Sequence, residues 1–412
     1  AKPVVAFDEN DKPTELKPDE NAPVVIRIFK TIADPFVGRL SLFKVVSGTL
    51  KSGLTLKNAS KDSEEKISSI YFLKGKKQET VDAACAGDIG ALAKLSNATT
   101  GDTLSEDREL RLPPIELPKP VLSMAVYAAK KGDEDKIFGG LNRLKDEDIS
   151  FTVTKNAETN EMLLSGVGET QLEILCRKLK NKFGVEAVLK EPRIAYRETI
   201  KKMAEAEGKH KKQSGGAGQF GQCSVRFEPG AADGQFEFVD AVVGGAVPRQ
   251  FIPAVEKGLR EAIKEGVLAG YPMVDLKCTL FDGKSHPVDS KEVAFVSAAK
   301  LAYAEGVAKA APAILEPIYQ LKITVPESFM GDILGDMNKR RGRILGMEMV
   351  DGKQVINAEC PLAEVLKYAT DLRSMTQGRG SYEMEFVRYE EVPATQVPKI
   401  IELSLIHISE PT

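Results

Sequence analysis

The order of apolar and polar positions predicts successive blocks of different character. A polar start with several prolines, residues 1–20, is interpreted as a linker. Short apolar runs of the β type follow, such as VVIRIFK (24–30) and RLSLFKVVSG (39–48), and Ser-Gly pairs interrupt them. Short strands with glycine turns are typical of a small β-barrel. We predict this first domain over 21–117, where the proline-rich LPPIELPKP (112–120) ends it.

Two later blocks share one order of elements. Residues 118–193 read strand, helix, strand, strand, helix, strand, which is the order of a ferredoxin-like domain. Gly184 suits the end of its second helix because glycine adopts positive φ without a steric penalty. Residues 315–395 repeat the same order. The helix preceding Gly184 is marked by apolar side chains at helical spacing, Leu172, Leu175, Leu179 and Phe183.

A different block lies between these two. Residues 194–314 alternate strands with helices near Pro253–Glu265 and Glu292–Ala310, which predicts an α+β domain. The predicted fold class is therefore a multidomain α+β protein with four domains. Residues 396–412 form a tail, and its end LSLIHISEPT (403–412) matches nothing before it. We interpret that end as a cloning or sequencing scar, with a native apolar tail as the alternative.

Composition and charge narrow the class of protein. The 412 residues hold 57 Lys and Arg against 60 Asp and Glu, and 42% are hydrophobic, which is ordinary for soluble cores and excludes disordered and collagen-like chains. The five cysteines occur singly, so no disulfide framework or zinc site is predicted. No apolar run approaches the roughly 18 residues that span a bilayer. We therefore expect a cytoplasmic protein without a membrane partner.

Strings that resemble nucleotide-binding motifs occur in the sequence, but they lack the residues or the flanking elements that such motifs require. GAGQFG (216–221) has glycine spacing typical of a dinucleotide site, but KHKKQS precedes it and the β-like QCSVRF follows it. The GKS string at 283–285 lacks the first glycine of a phosphate-binding loop. No Ser-His-Asp or Cys-His arrangement is evident. The sequence therefore predicts no catalytic residue, no metal site and no cofactor in this chain.

A glycine-rich basic stretch indicates a contact with RNA. Residues 209–226 contain lysines, an arginine and no acidic side chain, and their glycines let the backbone approach a partner closely. Basic and amide side chains suit phosphates, bases and sugar hydroxyls. A mobile hairpin with a solvated basic flank is the alternative, and a loop histidine is more often structural. The candidate RNA-binding residues are Lys211, Lys212, Gln213, Ser214, Gly215, Gly216, Gly218 and His286.

A second basic cluster occurs in NKRRGRILG (338–346), at the end of a predicted helix. Cations there interact favourably with the helix dipole, which is sufficient reason for one or two of them. Four within five positions also suggest a patch that faces phosphates. Residues from the next predicted helix and its following turn could extend this patch. Its candidate members are Lys339, Arg340, Arg341, Arg343, Arg373 and Arg379.

Several segments together resemble bacterial elongation factor G, a GTPase of translocation, in order from about residue 21 to residue 393. The resemblance implies a β-barrel, a ferredoxin-like domain, a ribosomal-protein-like α+β domain with a left-handed βαβ crossover, and a second ferredoxin-like domain. In the family a GTPase domain, with its GTP and Mg, precedes these domains. We therefore expect no GTP hydrolysis by this chain, although the intact parent is expected to be a GTPase. The segments include DPFVGRLSLFKVVSGTLKSG (34–53), GVGETQLEILCRKL (166–179), KKQSGGAGQFG (211–221), VDSKEVAF (288–295), GDMNKRRGRILGME (335–348) and YATDLRSMTQGRGSYEMEF (368–386).

The resemblance also implies partners. In the family, counting the GTPase domain as the first, the fourth domain reaches the decoding site of the small ribosomal subunit and holds transfer RNA and messenger RNA. The matching domain here is the α+β domain, whose matching loops, Gln213–Gly218 and the loop around His286, should be neighbours. The last domain of the family contacts the stalk base and sarcin–ricin loop of the large subunit, which we assign to Arg340, Arg341, Arg373 and Arg379. A monomer is expected.

Two other functions stay open at this point. Ala217 stands where the family commonly has arginine, and Pro287 follows His286 in place of the more usual acidic or small residue. These departures leave a paralogue that acts in ribosome recycling or tetracycline protection as one alternative. An autonomous ligand-binding protein built on ferredoxin-like domains is the alternative of another class.

Overall fold

The structure is a computed structural model that describes residues 2–34, 38–75, 77–106, 110–212, 218–231 and 234–409. The chain divides into two compact units, Ala1–Pro192 and Arg193–Thr412. Each unit combines sheets with helices, so the predicted multidomain α+β class is confirmed.

The first part of the first unit is built from antiparallel strands. The order of its large sheet is β7-β6-β12-β3-β4-β11-β8-β9, and β5 pairs separately with β10. Phe43, Leu50 and Leu104 come from distant strands yet share one buried cluster, so the sheet curves around a single core. Among the described strands, β7 and β9 end the order and do not pair, so hydrogen bonds do not close the predicted barrel. The strands are β1 (Val4–Phe7), β2 (Pro13–Leu16), β3 (Val25–Asp34), β4 (Gly38–Ser47), β5 (Thr49–Lys51), β6 (Thr55–Asn58), β7 (Ser63–Lys66), β8 (Ile70–Lys74), β9 (Lys77–Val81), β10 (Ala83–Cys85), β11 (Ile89–Ala93) and β12 (Thr103–Ser105).

The start of the chain, predicted as a linker, forms the β1–β2 hairpin. Ala6 and Leu16 are buried in a small apolar cluster with Val25 and Leu110. Burial of these side chains holds the hairpin against the first domain, which a loose linker would not do.

The second domain has the predicted ferredoxin-like order. Its antiparallel sheet runs β14-β15-β13-β16, and the apolar stripe of α2 is buried as its spacing predicts. Gly184 ends α2 at a φ of 69°. The elements are β13 (Leu122–Ala128), α1 (Glu134–Lys145), β14 (Thr152–Lys155), β15 (Met162–Gly166), α2 (Glu169–Phe183) and β16 (Ala187–Lys190).

The second unit begins with the third domain. Its sheet has the order β18-β19-β21-β20, and the parallel neighbours β20 and β21 are joined through α3. Side chains of α3 and α4 share one core with a face of this sheet. The elements are β17 (Arg197–Ile200), β18 (Ala204–Lys212), β19 (Gln219–Pro229), β20 (Phe236–Asp240), α3 (Ile252–Ala262), β21 (Leu276–Lys284) and α4 (Glu292–Lys309).

The fourth domain shares its long first strand with the third. β22 pairs with β17 at its start and with β24 and β25 further along, so the predicted boundary at 314/315 lies inside one strand. The last helix packs Ile400 in one cluster with Tyr196, Ala269 and Ile314, so the predicted tail begins as an ordered helix. The elements are β22 (Pro312–Val325), α5 (Met330–Lys339), β23 (Arg343–Val350), β24 (Lys353–Pro361), α6 (Tyr368–Met375), β25 (Ser381–Glu391) and α7 (Val397–Ser409).

Candidate nucleic-acid interface

The first element of the candidate site is the end of the β18–β19 hairpin. The two strands stay in register up to the pair Lys212 and Gln219. Loop residues 213–217, which include the predicted contacts Gln213, Ser214, Gly215 and Gly216, lie outside the described residues. Gly218, at the start of the returning chain, is described and buried.

Glycines bring this hairpin directly against α4. A Cβ atom at Gly208 would lie 1.8 Å from the carbonyl oxygen of Ala298, and one at Gly221 would lie 2.9 Å from the carbonyl oxygen of Ala294. Both distances are shorter than a carbon–oxygen contact allows, so only glycine permits this packing. The packing fixes the position of the hairpin end relative to the helix.

The loop that contains His286 is attached to the same hairpin. Phe220 donates its backbone N–H to the carbonyl of Asp289 at 2.9 Å, and the Ser290 hydroxyl donates to the carbonyl of Phe220 at 3.0 Å. A Cβ at Gly218 would lie 2.7 Å from Cγ of Asp289, so glycine makes room for that carboxylate. Gly218, the described end of the glycine-rich loop, thus lies beside the loop around His286, and we call residues 218 and 285–291 together the tip.

His286 makes defined contacts inside its loop. Its backbone N–H donates to the Ser290 hydroxyl at 2.8 Å. Its ring Nδ1 accepts the backbone N–H of Asp289 at 3.1 Å and that of Val288 at 3.3 Å. The side chain is 51% exposed, so the other ring nitrogen, Nε2, is the atom left for an external partner.

Positive charge on strand β18 lies near the tip. Lys209, Lys211 and Lys212 are exposed, and no ion pair is seen for them within the described part of the chain. Farther from the tip, Arg226 pairs with Glu205 at 2.8 Å. Basic side chains without an acidic partner therefore concentrate at the end of the hairpin that joins the tip.

Arg340, in the second basic cluster, directs its donors into the fourth domain. Its guanidinium donates to Asp336 and Asp371 at 2.7 Å each and to the carbonyl of Glu364 at 2.7 Å. It also lies 5.1 Å from the ring centroid of Tyr368. These contacts bind α5 to the segment that contains α6.

Arg341 is engaged in the same way. It forms a bidentate pair with Glu316 at 2.7 and 2.9 Å and a further bond with Glu364 at 2.9 Å. Hydrogen bonds to Glu316 raise the pKa of Arg341 above its ordinary value. Arg340 and Arg341 thus have a structural role inside the domain, and an RNA contact by either stays a prediction.

The other members of the cluster are exposed. Arg343 is 66% exposed and bonds to Glu359, which also accepts from Arg388 at 2.7 Å. Hydrogen bonds from Arg388, and then from Arg343, lower the pKa of Glu359 to about 2. Arg379 lies over the Phe329 ring at 4.8 Å. Lys339 and Arg373 are exposed as well.

Sequence reasoning missed the acidic partners of these arginines. Glu316, Glu359 and Glu364 come from separate elements, and no spacing in the sequence connects them with residues 340–343. Within the described residues, no group of three or more His, Cys, Asp or Glu side chains is arranged to hold a metal ion. None of the described helices is both long enough and apolar enough to cross a membrane.

Comparison with known families decides the assignment of the chain. Models of elongation factor G match it in order, with domain 2 at residues 23–107, domain III at 117–191, domain IV at 192–311 and the C-terminus at 313–400. The chain belongs to the elongation factor G family. The third domain described above is therefore domain IV of this family, and the tip is part of it.

A solved structure has the same architecture. A crystal structure of a protein from Thermus thermophilus is 37% identical, with a TM-score of 0.78 over 94% of this chain. The chain spans 58% of the length of that relative. The four matched family models therefore identify the domains of this chain as domains of a translation elongation factor.

Proposed function

We propose that this chain is the ribosome-binding portion of a translation elongation factor that promotes GTP-dependent translocation of transfer RNA and messenger RNA. The observation that carries the proposal is the tip, where the loop around His286 is hydrogen-bonded to β19 beside lysines that have no acidic partner among the described residues. GTP and Mg would bind to a GTPase domain of the intact parent. The factor would act in the cytoplasm as a monomer.

The charge distribution supports a contact with RNA at the tip. In the register of the sheet, Lys209 and Lys284 flank Gln222 near the tip. The next outward-facing row toward the base contains Glu207 and Asp282. Phosphates attract the lysines and repel the carboxylates, so RNA would approach the tip end of the sheet. Contacts of this kind fix position and carry no sequence information, as a factor that acts on every codon requires.

The second basic cluster supports a contact with the large subunit. Lys339, Arg343, Arg373 and Arg379 are the exposed members and are the residues we assign to the stalk base and sarcin–ricin loop. Arg340 and Arg341 would hold the surface that presents them. The proposed RNA patch therefore relies on the four exposed residues, and an RNA contact by Arg340 or Arg341 stays a prediction.

A paralogue that acts in ribosome recycling or tetracycline protection is the second candidate function. Ala217 and Pro287 at the tip favour it, because both depart from the usual pattern of the main factor. The two functions separate in assays with the intact parent, since only the main factor would accelerate translocation in the absence of other factors. The match to the family over four domains argues against an autonomous ligand-binding protein.

The salt dependence of ribosome binding tests the proposal. In the 412-residue chain, Lys209, Lys211 and Lys212 are changed together to glutamine, and binding to ribosomes that carry messenger RNA and transfer RNA is measured from low to high salt. Log K falls as log salt rises, and each lost phosphate contact makes this negative slope shallower by about 0.7 to 0.9. The slope of the triple variant should therefore be shallower by roughly 2 to 3 units.

The matched control changes three other exposed lysines in the same domain, Lys202, Lys264 and Lys309, of which Lys309 lies at the opposite end of α4 from the tip. This control has the same net charge as the tip variant, so it should keep the slope of the unaltered chain. Equal slopes for the tip variant and the control would contradict the proposed contact.

A further inference from the structure

We propose that Ser290 is a positioning residue that fixes His286 in one tautomer, so that the tip presents the Nε2–H group of His286 as a hydrogen-bond donor to an acceptor oxygen of RNA. The RNA partner in this inference rests on the proposed function. The fixed tautomer and the part played by Ser290 rest on the geometry of the loop itself.

The first step is the closure of the loop. The His286 N–H donates to Oγ of Ser290 at 2.8 Å, and the Ser290 N–H donates to the carbonyl of His286 at 3.2 Å. These two reciprocal bonds tie the ends of segment 286–290 together. The backbone of His286 is therefore held by the side chain of Ser290.

The second step is the attachment of this loop to the hairpin. A serine hydroxyl has one hydrogen to donate, and Ser290 donates it to the carbonyl of Phe220 at 3.0 Å. The same oxygen accepts from His286, so both capacities of the hydroxyl are used. Phe220 also donates to Asp289, which gives a second link between loop and hairpin. Ser290 thus couples the position of His286 to β19.

The third step is the tautomer of His286. A neutral imidazole has one nitrogen that donates and one that accepts. Nδ1 faces the backbone N–H groups of Val288 and Asp289 at 3.3 and 3.1 Å, and a nitrogen that accepts cannot also carry a hydrogen. The Asp289 carboxylate lies 3.4 Å from Nδ1 and could accept a hydrogen from it, but a hydrogen on Nδ1 would face the two backbone N–H groups, and both of those bonds would be lost. The neutral ring therefore carries its hydrogen on Nε2.

These steps define the chemistry that the tip offers. The N–H group on Nε2 belongs to a half-exposed ring and complements an acceptor such as a phosphate or sugar oxygen. Because the loop orients the ring before binding, the ring loses little conformational entropy when RNA binds. Loss of the Ser290 hydroxyl would free the loop and let the ring populate the other tautomer.

Nitrogen-15 NMR of the histidine side chains tests the tautomer without any RNA. The chain is labelled at histidine and observed at a pH of about 8. The signals of His286 are assigned by their loss in His286→Asn, and they should show the hydrogen on Nε2. In Ser290→Ala they should move toward a mixture of tautomers, and Ser290→Thr, which keeps the hydroxyl, should restore them.

Another of the three labelled histidines provides the folding control. His210 lies in the hairpin with Nε2 at 3.1 Å from the side-chain oxygen of Gln219, so its signals should not change in the Ser290 variants. Signals of His286 that are the same in Ser290→Ala as in the unaltered chain would overturn the inference. A hydrogen on Nδ1 in the unaltered chain would also overturn it.

Ribosome binding tests the RNA side of the inference. His286→Ala and Ser290→Ala should each weaken binding roughly 2- to 10-fold, the usual effect of one lost hydrogen bond, and Ser290→Thr should bind normally. Because Ser290 acts through His286, the double variant should be no weaker than His286→Ala alone. Fully additive losses would overturn the inference. If the lysine variants lose their salt slope while these variants bind normally, the proposed function is supported and this inference is overturned.

Discussion

A buried carboxylate at the base of the third domain provides a sharp test of the packing described above. Glu198 in β17 is fully buried. Its carboxylate accepts the backbone N–H groups of Leu268 and Ala269 at 2.8 Å each and that of Tyr271 at 3.2 Å. These bonds hold the segment between α3 and β21, which also contributes Ala269 to the cluster beside α7.

The change Glu198→Ala would leave the buried N–H group of Ala269 and the half-buried ones of Leu268 and Tyr271 without their acceptor. An unsatisfied buried donor costs about 1 to 3 kcal/mol, and water that enters the vacated space recovers part of this. We therefore expect a loss of about 3 to 5 kcal/mol, which is a large share of the roughly 5 to 15 kcal/mol that stabilises a typical domain. Glu198→Gln keeps one acceptor oxygen and should lose an intermediate amount.

Hydrogen exchange followed by mass spectrometry suits this test because unfolding of a multidomain chain is not a single two-state transition. Peptides that cover residues 264–274 should lose protection in Glu198→Ala. Glu385, which is exposed in the same unit, offers a matched control, and its change to alanine should alter stability by less than about 0.5 kcal/mol. Unchanged protection of residues 264–274 in Glu198→Ala would refute the reasoning.

Two further predictions concern stability. Gly208→Ala places a Cβ 1.8 Å from the carbonyl oxygen of Ala298, so it should lower the free energy of local opening of β18 and α4, measured by hydrogen exchange, by about 1 to 3 kcal/mol. Gly139→Ala in α1, where a Cβ meets nothing within 4 Å, should instead add up to about 1 kcal/mol, and equal effects would contradict the packing. The pKa of Glu359 is lowered to about 2, so its stabilising effect is complete above the ordinary carboxyl range near 4.5 and is lost as pH falls toward 2. Glu359→Gln should flatten this acid-side decline in melting temperature, and a parallel decline would contradict the assignment.

Local patterns in the sequence were sufficient for much of the fold. The stripe of Leu172, Leu175 and Leu179 predicts α2 because it matches the helical period, and Gly184 predicts its end because glycine accepts positive φ. The β1–β2 hairpin at the start escaped prediction. Each of its strands has four residues, too few for an alternating pattern to stand out from a linker.

The residue types of the candidate site could be predicted from the sequence, but the hydrogen bonds and ion pairs between them could not. Lysines, glycines and His286 mark the tip because these residue types suit close contact with RNA. The bonds of Ser290 to Phe220 span 70 positions in the chain, and no periodicity links such distant residues. The roles of Arg340 and Arg341 were hidden for the same reason, since a cluster of cations looks alike whether its charges face RNA or internal carboxylates.

The most direct test of the central claim is a cross-link from the tip to RNA. Val288, 80% exposed in the loop of His286, is replaced by a photoreactive amino acid, and Lys264, at the far end of the same domain, serves as the control position. On ribosomes loaded with messenger RNA and transfer RNA, position 288 should cross-link to these RNAs or to the small-subunit decoding site, and position 264 should not. Equal cross-linking from both positions, or none from position 288 under conditions where the chain binds, would contradict the account.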